Sequence, residues 1–128
     1  MDRYESAFII LYAISSIDGE INVSETELIM KFLKENREEI KFDHRALIGT
    51  MVLLSEDELK EKLNKAAQEF KNLSTEEERL KLLNFALNLV ISDGRIDANE
   101  IRMFNILGKV WEIDIDKFID YNFQRRKQ

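Results

Sequence analysis

The chain alternates between segments that are apolar on almost every side and segments with one apolar stripe. Residues 2–17 predict a first helix. From Ala7 to Ile17 it carries Phe8, Ile9, Ile10, Leu11, Tyr12, Ala13, Ile14 and Ile17. A helix apolar all round belongs at the centre of its domain. Residues 23–37 predict an amphipathic second helix with Leu28, Ile29, Phe32 and Leu33 inward. Residues 43–54 predict a shorter third, with Asp43 as N-cap. The run Ser55-Glu56-Asp57-Glu58 is a capping box opening a fourth helix, with Leu59, Leu63, Ala66 and Phe70 on one face. Its outer face pairs Glu56 with Lys60, Glu58 with Lys62 and Glu61 with Lys65, a solvated charge pattern.

Ser74-Thr75-Glu76-Glu77 reads as a second capping box. The fifth helix that follows, to about Ser92, is again apolar nearly all round and is expected to be a second central helix. Residues 98–111 predict a sixth helix, and Asp114 caps a seventh. Valine and threonine are scarce and proline is absent, which argues against strands and sharp turns. The expectation is all-α: one domain spanning residues 1–128, about seven helices, two pseudo-symmetric halves around two central apolar helices. A weak internal repeat relates residues 7–33 to residues 80–108.

The repeat is clearest where each apolar helix ends. Residues 18–25 read DGEINVSE and residues 93–100 read DGRIDANE. Much of this frame is helix punctuation. Gly19 and Gly94 suit a left-handed helix end. Asn22 and Asp97 suit N-caps, and Glu25 and Glu100 at N3 would complete capping boxes. The aspartates fit less well. Asp18 and Asp93 stand at helix C-termini, where the dipole disfavours an anion by about 0.3–1 kcal/mol. Hydrogen bonds to N–H groups of the loop or of the next helix would account for them.

A hard-cation site would account for them too. Asp18, Glu25, Asp93 and Glu100 are the candidate ligands, with Asp97, Glu20 and Asn22 in second rank. An all-oxygen set suits calcium or magnesium, with manganese ranked below them. A polar partner-binding site is the third alternative. An EF-hand is excluded, because its first two ligand positions would fall on Ile14 and Ser16 in one copy and on Leu89 and Ile91 in the other.

Composition narrows the function classes. There is no cysteine, so disulfides, thiolate catalysis and cysteine-ligated zinc are excluded. The net charge of -6 disfavours nucleic acid. The basic tail Arg125-Arg126-Lys127 is too short to form a patch. The apolar run from Ala7 to Ile14 is too short to span a bilayer, so direct membrane insertion is not expected. No signal peptide is visible, which points to the cytoplasm. The single histidine, His44, reads as an exposed residue at a helix start, and no catalytic arrangement is evident. The chain is therefore expected not to be an enzyme. A helical adaptor that binds protein without metal is the alternative, with Trp111, Tyr121 and Phe123 as conceivable anchors, although their helical spacing favours core packing.

The stretch ISSIDGEINVSETELIMKFL, the helix and DGRIDANE run from Phe85, and ILGKVWEIDIDKF resemble the TerB (tellurite resistance protein) family and its wider superfamily. The likeness covers about residues 6–123. It implies an all-α fold of about seven helices and acidic residues at the two Asp-Gly motifs linked to divalent metal. By position these are Asp18, Glu25, Asp93 and Glu100. It also implies a bacterial stress-response role, including tellurite, other chemical stress and phage defence, with protein partners in membrane-associated complexes. The helix before the first motif is less alanine-rich than the family's pattern, with Ser15 and Ser16 near its end.

Overall fold

A computed structural model describes residues 2–19, 21–35, 40–91 and 95–126, with no side-chain description for Arg126. Among them are seven helices and no strand: α1 (Arg3–Ser16), α2 (Val23–Lys34), α3 (His44–Met51), α4 (Glu56–Leu73), α5 (Glu76–Val90), α6 (Ala98–Trp111) and α7 (Ile115–Arg126). The all-α reading is borne out.

Side-chain caps fix where the helices start. Asp2, Asn22, Asp43, Ser55, Thr75 and Asp97 each accept a backbone N–H from the first turn of their helix. Asp114 does the same for Lys117 in α7. Full capping boxes form at Ser55–Glu58, Thr75–Glu78 and Asp97–Glu100. The box expected at Ser74 is thus shifted by one residue. The Ser74 hydroxyl is used instead on the Phe70 carbonyl behind it. Of the three Glu–Lys pairs expected on α4, Glu56–Lys60 closes at 3.3 Å. Glu58 turns back to its cap and accepts from the Ser55 N–H.

α1 is the centre of the bundle. Every residue from Ser6 to Ile14 is buried, and α2, α3, α4, α5 and α6 all pack against it. α4 lies on both α1 and α6, closing the core around Leu63, Ala66, Leu83, Phe104 and Leu107. Each of the leucines and Phe104 contributes roughly 1.5–3 kcal/mol by leaving water. α5 does not match α1 as a second centre. It buries one side through Leu82, Leu83, Ala86 and Leu87, while Phe85, Leu89 and Val90 are half-buried. It packs chiefly on α1, and its Phe85 stacks on Phe32 of α2 with ring centroids 4.1 Å apart. Phe85, Leu89 and Val90 also border an open cavity.

Two polar side chains are tied down inside this core. Ser6 donates to the Asp2 carbonyl at 2.9 Å. Trp111 is buried and its Nε1 donates to the Ala67 carbonyl of α4 at 2.9 Å, so it is a core residue rather than a surface anchor. Phe123 is half-buried against the core, and Tyr121 is exposed with Arg125 over its ring. His44 is not fully exposed as expected. Its ring packs on Phe8 with centroids 5.9 Å apart, which leaves it half-buried.

Candidate metal centre

The first Asp-Gly corner begins where α1 ends. Ile17 is still right-handed, and the Gly19 N–H donates to the Ser16 carbonyl at 3.1 Å. Gly19 has φ +151°, well past the left-handed helical value expected of it but still a region that residues with a Cβ rarely enter. This turn exposes Asp18. Because α6 packs on α1, Asp18 arrives at the N-terminal end of α6. That resolves the electrostatic puzzle of an acid at the wrong helix end. The positive end of α6 faces it, and Asn99 Nδ2 in the first turn of α6 donates to Asp18 Oδ1 at 2.9 Å. The partner expected for Asp18 was its own loop or α2. The one found belongs to the helix of the other motif.

Two α6 carboxylates join it. One oxygen from each of Asp18, Asp97 and Glu100 lies within 4.8 Å of the others. Each carboxylate commits one oxygen to a structural bond. Asp18 Oδ1 takes Asn99, Asp97 Oδ1 takes the Glu100 N–H at 2.8 Å, and Glu100 Oε1 takes the Asp97 N–H at 3.2 Å.

Hydrogen bonding, desolvation and neighbouring charge move the titration of the three carboxyl groups apart. Asp18 is raised above the ordinary carboxylate range, first by its hydrogen bond to Asp97 and then by desolvation, with Asn99 opposing. Asp97 is held low, first because it accepts from Asp18 and further because α6 backbone N–H groups point at it. Of the two, Asp18 therefore holds a shared proton more readily. Glu100 is pushed up to about 7, chiefly by desolvation and then by the charges of Asp97 and Asp18.

The donor set fits a hard divalent cation. All three groups are carboxylates, and oxygens on a calcium sphere of about 2.4 Å radius stand no more than about 5 Å apart. A divalent charge would also favour the ionised forms of Asp18 and Glu100, which hydrogen bonding, desolvation and the neighbouring carboxylates disfavour.

The structure brings together two of the four residues singled out in the sequence, Asp18 and Glu100. Asp97, ranked second there, is the third member. Asp93 lies outside the described residues, as does Glu20. Glu25 is not in the group. The Glu25 N–H is capped by Asn22 Oδ1 at 2.8 Å, but the return half of that box is not made. Glu25 is instead among the residues that line an open cavity of about 660 Å³, as is Glu100. The site is therefore asymmetric. It combines the aspartate of the first motif with the N-cap and N3 acids of the second. The equivalents of Asp97 and Asn99 in the first motif are Asn22 and Ser24, which carry no charge.

Asn99 was missed in the sequence reading. Its signal was a difference between the copies, ANE against VSE, which matters only once α6 is known to sit beside the end of α1.

A family model described as Tellurite resistance protein TerB matches residues 5–122. The chain belongs to the TerB family. That span takes in both Asp-Gly corners and nearly all of α1 to α7. Neither a curated protein nor a solved structure matches significantly. Within this TerB domain no described helix is long and apolar enough to cross a membrane.

Proposed function

We propose that this TerB-family chain is a non-enzymatic domain of bacterial stress response that binds a divalent cation through Asp18, Asp97 and Glu100. The observation behind this reading is the convergence of those three carboxylates, from two separate motifs, to within 4.8 Å. Calcium or magnesium suits an all-oxygen set, with manganese next. The bound ion would supply positive charge that binds the two corners to each other. Asp18 ties it to α1, and Asp97 and Glu100 tie it to α6. The stress concerned is tellurite or another chemical insult, or phage attack. The partners are proteins, reached from the cytoplasm, in membrane-associated complexes.

Thermal unfolding of chelator-treated protein tests the cation. At about a hundred times its dissociation constant an ion stabilises by about 2.7 kcal/mol, a rise of several degrees. The rise should be seen with calcium or magnesium and should be lost in the Asp18→Asn/Glu100→Gln double variant. Wild-type protein that shows no rise with any of the three ions would sink the reading.

One observation favours a second reading, a metal-independent adaptor. Val23 and Val52 are 74% and 58% exposed at the mouth of a cavity of about 360 Å³ between α2 and α3. Apolar side chains so placed suit a protein partner. Partner capture that persists in chelator would favour this reading over the cation.

A further inference from the structure

The hollow between α2 and α3 lies beside the most exposed large hydrophobic side chain among the described residues. Leu53 is 83% exposed. It follows Val52, which lines the hollow together with Val23. Of the seven large hydrophobic residues exposed among the described ones, these three therefore share one face. The hollow measures about 360 Å³, and Met30, Tyr12, Ile21 and Ile48 also line it. A cavity of about 150 Å³ already takes a benzene ring, so there is room here for an aliphatic side chain.

The same face carries one charge of each sign that the fold does not use. Glu27 of α2 and Arg45 of α3 both line the hollow, and both are exposed. Among the described residues neither side chain makes an ion pair. An exposed apolar side chain thus stands beside an apolar hollow, and an acid and a base stand on the two helices that bound it. Such a face is complementary to itself.

We propose that this face binds a second copy of the chain, as a two-fold dimer in which Leu53 of each copy enters the hollow of the other and Glu27 of each pairs with Arg45 of the other. In a two-fold interface every contact is made twice, with the roles of the two copies exchanged. An axis running between α2 and α3 sets α2 of each copy over α3 of the other, which brings each acid to a base. A small ligand inside the hollow would leave Val23 and Leu53 in water. A nucleic acid is disfavoured by the net charge of -6. That charge also opposes the approach of two copies, but its reach is only about 8 Å at physiological salt, so the opposite charges on the face itself prevail. Three exposed aliphatic side chains on each copy make this a small, reversible interface rather than an obligate one. The proposal rests on the second reading above, that this face receives a protein, and names that protein. It needs no bound cation.

Sedimentation of the full chain in chelator, across the micromolar to millimolar range, is the test. Wild-type protein should pass from monomer to dimer with concentration and go no further, because a two-fold contact closes on itself. Leu53→Glu should stay monomeric with an unchanged thermal midpoint, since that side chain lies outside the core. Arg45→Glu and Glu27→Arg should each weaken the dimer by about tenfold, because each sets like charges together twice. Mixed in equal amounts, those two variants should pair with each other at close to wild-type affinity, since the mixed dimer restores both opposite-charge contacts. Wild-type protein that stays monomeric, association that survives Leu53→Glu, or a mixture no tighter than its components would overturn the proposal. A monomer that captures a different protein, and loses it in Leu53→Glu, would overturn the self-pairing and leave the second reading standing.

Discussion

Asp18 and Asn99 are 81 residues apart in the chain, yet Asn99 Nδ2 donates to Asp18 Oδ1 at 2.9 Å. The asparagine is oriented in turn, because its Oδ1 accepts from Arg102 one turn further along α6 at 2.8 Å. This short relay holds the end of α1 against the start of α6 and sets Asp18 beside Asp97 and Glu100. The chain crosses itself here: the acid of one repeat is received by the helix of the other.

Asn99→Ala removes the donor and leaves Asp18 facing two carboxylates. Stability should fall by about 1 kcal/mol, below the roughly 1.5–3 kcal/mol usual for hydrogen bonds to charged groups because the pair is exposed. Asn99→Asp should cost more without metal, since it adds a fourth carboxylate, and should show a larger rise in melting temperature when calcium is added. Thermal unfolding with and without chelator measures both.

Glu100 gives a pH dependence of definite sign. Its folded value is raised to about 7, above the ordinary 4.5, so its contribution to stability is fully present below about 4.5 and is lost as pH rises through 7. Metal-free protein should therefore be more stable at pH 6 than at pH 8, by on the order of 1 kcal/mol after allowance for solvent screening. Glu100→Gln, which keeps the capping geometry, should flatten that slope. Calcium should stabilise more at pH 8 than at pH 6, because the ion competes with the proton. Glu78 runs the other way. It is held low, first by the Thr75 N–H, and so its contribution is lost only as pH falls through the acid range. Urea unfolding at a series of pH values separates the two.

The turn from α6 to α7 has two backbone demands of opposite kind. A Cβ on Gly108 would collide with the Ile115 side chain and stand 2.7 Å from the Ile113 carbonyl oxygen. Gly108→Ala should destabilise by about 1–3 kcal/mol, outweighing the roughly 1 kcal/mol gain in helix propensity. Glu112 occupies the left-handed region at φ 58° as the C-cap of α6. Glu112→Gly should stabilise by about 0.5–1 kcal/mol. Chemical denaturation midpoints at constant slope check both signs.

Trp111→Phe keeps the aromatic packing against Phe70 but removes the indole bond that the Ala67 carbonyl accepts in addition to its helical one. A loss of about 0.5–1.5 kcal/mol is expected by thermal unfolding. An unchanged midpoint would mean that this second bond to the carbonyl adds nothing to stability.

Secondary structure was legible in the sequence because its causes are local. Apolar periodicity placed all seven helices, and Asn22, Asp43, Ser55 and Asp97 marked their starts by side-chain capping. The central place of α1 was also legible, since a helix with no polar face has only one tolerable environment. The same reasoning overstated α5. Its apolar surface is shared between the core and an open cavity, and periodicity does not distinguish those two neighbours.

The membership of the acidic centre was decided by tertiary structure. Glu25 and Glu100 hold the same position in their motifs, and nothing local separates them. What separates them is that α6 packs on α1 at the level of Asp18, so that Asp97, Asn99 and Glu100 meet it and Glu25 does not. Capping and periodicity act over a few residues and can be read along the chain. The convergence of carboxylates depends on how two helices pack after 81 intervening residues, and only the assembled core fixes that.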